Sequence, residues 1–474
     1  MNGNIQRHVR GKRWIKLLAG AGLVITAGIV LGAYWLGRSQ QQAALPKPPA
    51  LPKDVHQQLS GVTFTRSDNG RQLFVIHAAR TLAYKQGGAT LLKDVYVEFF
   101  GRSGKRHDVL RTPEGEYNQT TGNLSTPGDV ELVLNASPSQ LKDLAARPDQ
   151  PIDQKPADAA DAARQPVYIR TSKVTSTEHG TQLESDTPVR FHIGDISGAA
   201  RGLIYGSDTS EITLKEDVQA VFHPAKEARA GAPIEVSASR LHYAGPADEV
   251  QLSGPVIIHQ AARTVTASQG LISMNESNRI TEVLLQGNAH ALDRTRTGEL
   301  NLQSDLIRGR LDPVTSGLTT IVASGRARGQ STQGGALSQF EAHEVALNFD
   351  PATHVPANGA AMGKVHLIIT QAKSRQGAPS APQTPGGRIA KEDLATEKLL
   401  FSFRPKGKNL KEAETAGPGT LVLYPVDPKA GNRTVTAAKF LMAFDSASHL
   451  ESFRGTGGTR IVSAPPASSR NQAP

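Results

Sequence analysis

Between residues 54 and 462 apolar and polar positions alternate with a period of two. Val95, Val97 and Phe99 are interleaved with Tyr96, Glu98 and Phe100, and Val130, Leu132 and Leu134 with Glu131 and Val133. Such a period gives each face of a strand its own residue set, and short runs bounded by Gly, Asn, Asp and Pro predict antiparallel strands. Long runs with a 3.6-residue period are hard to find in this region. The pattern predicts an all-β fold there.

The N-terminus breaks the pattern. Leu17 to Gly37 carries no charge, and as a helix it would span about 31 Å, the thickness of a bilayer core. Arg7, Arg10, Lys12, Arg13 and Lys16 precede it and only Arg38 follows closely. The positive-inside bias therefore predicts a single-pass membrane helix over 14–37, with residues 1–13 cytoplasmic and the bulk of the chain exported. Trp14 at one end, and Tyr34 with Trp35 at the other, suit the two interfaces. Ala21, Gly28 and Gly32 lie near one helical face, where small residues let a second membrane helix approach.

Composition shifts divide the rest. Residues 38–53, rich in Gln, Ala and Pro, read as a tether; 137–166 and 371–390 read as long loops or linkers, and 463–474 as a disordered tail. The β pattern then falls into a module over 54–194 with the insertion 137–166, β repeats over 195–370, and C-terminal repeats over 391–462.

Within these segments a unit recurs. One copy runs from Ser237 to Tyr243, turns at Gly245-Pro246, and continues from Val250 to Ile258 through Gly254-Pro255; others carry Gly128-Asp129, Gly287-Asn288, Gly325, Gly359 and Gly455. The spacings from 216 to 254, 287, 325 and 359 are 38, 33, 38 and 34. From 359 to 417 the interval is 58, which falls to 38 when the 20 residues of 371–390 are removed, and 417 to 455 is again 38. Each copy reads as a strand, a tight turn, a second strand and a Gly-Asp or Gly-Asn turn into a third, with glycine supplying positive φ. One such copy cannot bury its own apolar face, so neighbours stack into an elongated sheet or sandwich.

The chain has 474 residues and no Cys, which removes disulfides, thiolate metal sites and a cysteine nucleophile from consideration. Its formal net charge is +10. Eight Lys and Arg and no acid lie in residues 1–53, leaving 10 − 8 = +2 for the remainder. The basic excess is thus an orientation signal for the anchor, and nucleic-acid binding is not expected.

Gly61-Val62-Thr63-Phe64, the run Gly70 to Ala78, Leu92 to Val97 and Gly128-Asp129-Val130, behind one anchor and a Pro-containing tether, resemble the LptC family of membrane-anchored periplasmic lipopolysaccharide-export proteins. The later copies resemble the OstA/LptA-type repeat. That resemblance implies an elongated antiparallel β-jellyroll whose two sheets splay around an apolar groove for acyl chains. Its implied partners are lipopolysaccharide, an inner-membrane ABC-type extractor of the LptB/LptF/LptG kind, and an LptA-like or outer-membrane LptD-like protein joined by edge-strand pairing. The groove candidates are Phe64, Leu73, Val75, Val95, Val97, Phe99, Val130, Leu132 and Leu134, with Phe191, Val218, Phe222, Val256 and Ile258 further along. Burial in a groove is physically apt, since removing acyl CH₂ groups from water is worth about 0.8 kcal/mol each. Alternation marks these residues as one buried face, which a closed core would also produce.

Catalytic patterns are absent from the sequence. His343-Glu344 begins like a zinc-protease helix, but Leu347 stands where a second His is needed. Gly359 to Lys364 lacks the spacing and the Ser or Thr of a phosphate loop, and His77 and His107-Asp108 have no Gly-x-Ser-x-Gly elbow to serve. No enzyme activity, cofactor or metal is expected. The competing reading is a membrane-anchored structural or polysaccharide-binding β-repeat stalk with a filled interior.

Overall fold

The computed structural model describes residues 55–84, 89–102, 106–146, 166–177, 180–193, 196–222, 233–244, 247–275, 279–295, 298–313, 317–333, 336–350, 353, 355–370, 389–405, 410–444 and 450–464. The expected transmembrane helix with Ala21, Gly28 and Gly32, the tether, and most of the two linkers lie outside these residues. Among the described residues, no helix is long and apolar enough to cross a membrane. The described residues divide into an N-terminal unit, 55–258 with 269–281, and a C-terminal unit, 259–268 with 282–464.

The N-terminal unit starts with the long strands β1 (Val55–Asp68), β2 (Arg71–Tyr84), β3 (Ala89–Phe100) and β4 (His107–Asn118), each antiparallel to the next. The strands β5 (Asn123–Ser125) and β6 (Asp129–Leu134) are short, and a helix, α1 (Pro138–Ala146), follows them. Next come β7 (Val167–Ser172), β8 (Thr175–Thr177), β9 (Gln182–Ile193), β10 (Ile196–Gly206) and β11 (Glu211–Phe222). They lead into β12 (Ile234–Ala238), β13 (Arg240–Ala244), β14 (Glu249–Gln260) and β15 (Arg263–Met274), of which residues 259–268 belong to the C-terminal unit.

Hydrogen bonds join these strands into one continuous antiparallel sheet. Val109 to Arg111 of β4 pair with β6, while Glu116 to Asn118 pair with β5. The end of β9 pairs with β7 and its start with β8; the end of β11 pairs with β12 and its start with β13. The neighbours of the long strands are broken at mid-length, where the continuous sheet can bend, so its two halves, the first and second sheets, can face each other as the layers of a sandwich. Strands β9 and β10, on either side of the expected module boundary near 194, pair along their whole length.

The insertion 137–166, expected as loop, begins with a helix. Only Leu141 and Leu144 mark its apolar stripe, too few to reveal a 3.6-residue period. They cover Tyr96, Val109, Val133 and Tyr168 on the outer face of the first sheet. Ser137 caps the helix through Gln140, and Gln140 Nε2 donates to the Tyr168 hydroxyl at 2.9 Å. Burial, and after it the charge of Glu98, push the Tyr96 phenol up to about 12.

The C-terminal unit is a meander of β16 (Ile280–Thr295), β17 (Gly298–Leu311), β18 (Leu318–Gln333), β19 (Ala336–Phe349), β20 (Pro356–Thr370) and β21 (Ile389–Phe403). The halves of β21 pair with β22 (Leu410–Thr415) and β23 (Gly419–Pro425). The strands β24 (Arg433–Ala437), β25 (Lys439–Phe444), β26 (Leu450–Thr456) and β27 (Arg460–Ser463) complete the unit.

The repeat is a hairpin of 38 residues. Adding 38 to the bounds of β16 and β17 gives those of β18 and β19, and the pair Glu282↔Arg310 becomes Thr320↔Asn348. Even the turn repeats: the Asp312 N–H bonds the Gly317 carbonyl, and the Asp350 N–H that of Val355.

The glycine inside each hairpin is not a turn between strands, as the sequence reading held. Gly287-Asn288, Gly325-Arg326 and Gly363-Lys364 all have positive φ in the middle of β16, β18 and β20, where two residues oppose one. These are bulges, which bend a strand without ending it. The third mark is therefore Gly363 and not Gly359, which restores a spacing of 38 from Gly325. Gly325 has φ +73, and a Cβ there would lie 2.7 Å from Asp305 Oδ2. Gly325→Ala is expected to destabilise the C-terminal unit by about 1–3 kcal/mol, read as a lower urea midpoint. Gly417→Ala, with ordinary φ and open space around it, leaves that midpoint within error.

Candidate functional site

Cross-strand register brings most of the sequence-predicted residues onto one interior face. Phe64, Ile76, Val97, Leu110, Leu132, Ile169 and Phe191 succeed one another across seven strands. Val95 and Phe99 flank Val97, and Val130 and Leu134 flank Leu132, on the same face. Further along, Phe191 pairs with Gly198 and Gly198 with Ala220, so Val218 and Phe222 share that face. Val256 and Ile258 are fully buried on β14. Phe64 and Phe222 are half-buried, and every other predicted residue is buried.

Two assignments are corrected. Val75 pairs with Glu98, on the face opposite Val97 and Phe99, so the inward residues of β2 are Phe74 and Ile76. Leu73 is the extra residue where the register shifts between Arg66 and Ser67. All four residues from Leu73 to Ile76 are buried, so alternation has no parity to report here.

Aromatic rings fill the interior between β1 and β4. Ring centroids are 5.3 Å apart for Phe64 and Tyr117, 6.3 Å for Tyr117 and Phe74, 6.0 Å for Phe74 and Phe99, and 6.3 Å for Phe99 and Tyr205. Phe99, a leading groove candidate, is thus a core residue at 2% exposure.

Beyond Tyr205 the two sheets stand apart. Val167, Ile169, Phe191 and Ile193 of the first sheet face Ile212, Leu214, Leu241, Tyr243 and Val250 of the second, with Met274 at the side. Together they line a narrow apolar pocket that is partly open to solvent. Ile193, Tyr243 and Met274 are half-buried and form the mouth. The lining contains no charged side chain, so the pocket suits a hydrocarbon and offers nothing to an ion. Of the predicted residues, only Phe191 lines it. The second-sheet residues were visible as apolar alternation, but nothing in the sequence set them opposite Ile169 and Phe191.

At the filled end, a polar network ties the rims of the two sheets together. Asp108, fully buried at the start of β4, accepts from Arg106, from the Tyr205 hydroxyl and, at 2.8 Å, from the Asn135 backbone N–H. Arg106 also donates to the Tyr205 oxygen at 3.0 Å and to the Ser207 carbonyl at 2.7 Å. Burial, then the Asp108 charge, push the Tyr205 phenol well above its ordinary value, so it remains a donor. Burial works against the Arg106 charge, but Tyr205 and Asp108 outweigh it and raise the guanidinium pKa. Arg102 and Asp208 add a surface ion pair at 3.0 Å between the same two turns.

The motifs set aside as non-catalytic are dispersed. His343 and Glu344 lie in strand β19 and not on a helix, and His107 bonds Glu98 at 2.6 Å.

Residues 22–223 match the family described as Lipopolysaccharide-assembly, LptC-related. The match covers less than half of the chain. The matched stretch contains β1 to β11, hence the aromatic core, the rim network and much of the pocket lining. Among solved structures, the crystal structure of LptH from Pseudomonas aeruginosa aligns at 15% identity with a TM-score of 0.20, covering 32% of this chain and 91% of that one. LptH is described as the LptA homologous periplasmic component of the conserved lipopolysaccharide transport device. No curated protein matches the chain.

Proposed function

We propose that this protein is a non-catalytic, inner-membrane-anchored component of lipopolysaccharide transport that holds acyl chains between its sheets on their way to the outer membrane. The observation that carries the reading is the uncharged pocket between β7, β9, β11, β13 and β14, whose lining lies largely within the lipopolysaccharide-assembly match. A lipid crossing an aqueous compartment must keep its chains out of water, and such a pocket achieves this with no chemical step. An ATP-driven extractor in the inner membrane would load it. The uncharged stretch 17–37, with basic residues before it, supports the anchor.

Edge strands support handoff by strand addition. Among the described residues, β1 pairs with β2 and β27 with β24, each on one side. Ile461 and Val462 on β27 are 65% and 46% exposed, which suits an LptA-like or LptD-like partner strand.

The test is site-specific photo-crosslinking in the native envelope, with the probe at Tyr243 in the mouth and, as control, at Arg190 on the outer face of β9. Lipopolysaccharide adducts at 243 and none at 190 are expected. Protein adducts alone at both positions would favour the stalk.

A further inference from the structure

We propose that Phe99 and Tyr205 form an end-wall that fixes how far an acyl chain can run into the interior, and so select for chain length. The inference rests on the acyl-chain reading above. Tyr205 is the direct cross-strand partner of Ile212, which lines the pocket, so the two side chains sit side by side on one face. The phenol is fully buried and its ring lies 6.3 Å from that of Phe99, which projects from the opposite sheet. Behind this pair, Phe74, Tyr117 and Phe64 occupy the space a longer chain would need.

The wall is held by more than packing. A phenylalanine at 205 would fill the same volume, yet the hydroxyl is tied to Asp108 and Arg106, and Arg106 to Ser207 in the turn after β10. These bonds pin the rims of the two sheets at the wall, whereas at Ile193, Tyr243 and Met274 the rims leave a mouth. A chain therefore enters laterally between the rims and stops at Tyr205. Methylenes beyond the stop stay in water and add nothing to affinity.

The experiment titrates the purified full-length protein with a series of saturated fatty acids from octanoate to stearate. In the wild type, affinity is expected to rise about fourfold per added CH₂ while the chain is still being buried, then to level off. Phe99→Ala is expected to move that plateau about two to four carbons longer by opening the space behind the wall. Phe99→Leu, a milder change for folding, moves it in the same direction by less. Val133→Ala, beneath α1 on the outer face, leaves the plateau in place. A plateau unmoved in both Phe99 variants, or moved equally by Val133→Ala, overturns the end-wall and leaves acyl binding standing. Absence of saturable wild-type binding at any chain length overturns the acyl reading and the wall with it.

Discussion

Asp108→Ala is expected to destabilise the N-terminal unit by about 3–5 kcal/mol, because breaking a buried ion pair leaves its partner charged and unmatched. Arg106 would keep only the Tyr205 hydroxyl and the Ser207 carbonyl as partners, while Tyr205 and the Asn135 N–H would lose their acceptor. Asp108→Asn preserves the volume and one acceptor oxygen, so a smaller loss follows. The double change Asp108→Ala with Arg106→Met recovers part of the deficit, since an apolar replacement removes both desolvated charges at once. Urea denaturation followed by far-UV circular dichroism measures all three. A single-variant loss below about 1 kcal/mol, the range of exposed pairs, would mean that the network is solvated and does not hold the sheets.

Phe440→Ala is expected to remove about 3–5 kcal/mol from the C-terminal unit. Its ring is fully buried among Leu394, Leu399, Leu421 and Met442 and stacks on Phe453 at 5.2 Å. Gly419 and Gly455 approach it so closely that a Cβ on either would lie 3.0 to 3.3 Å from the ring. Glycine backbone on two sides cannot collapse into the vacated volume as side chains could, which places the change toward the upper end. Limited proteolysis across the region 389–464, run beside thermal denaturation, should show faster cleavage in the variant. Unchanged cleavage and melting would show that the cluster does not hold this end of the unit.

The strands of the interior face were legible because Glu98 and Glu131 mark the opposite face of Val95 to Phe99 and Val130 to Leu134, although Tyr96 and Val133 on that face are buried beneath α1. Where alternation lapses, the sequence is mute about orientation: Leu73 to Ile76 are buried together, and the inward pair there is Phe74 and Ile76. Bulges explain more of the difference. Gly359 and Gly363 are both glycines near the expected spacing, but only Gly363 has φ > 0, and backbone conformation is not written in residue type. The pocket was legible only through Phe191, because Ile212, Leu241 and Val250 come to face Ile169 through strands that change sheet at mid-length. Asp108 and Tyr205 are 97 positions apart, and neither carries a local signal of the other.

The period of the C-terminal hairpins makes that unit a ruler. Because 38 is even, removing or duplicating one period, such as residues 288 to 325, returns every side chain to its own face and every bulge glycine to its own opposing strand. A change of odd length within a strand turns the remainder of that strand inside out. Span is therefore graduated in steps of two strands, about 10 Å in the hydrogen-bonding direction.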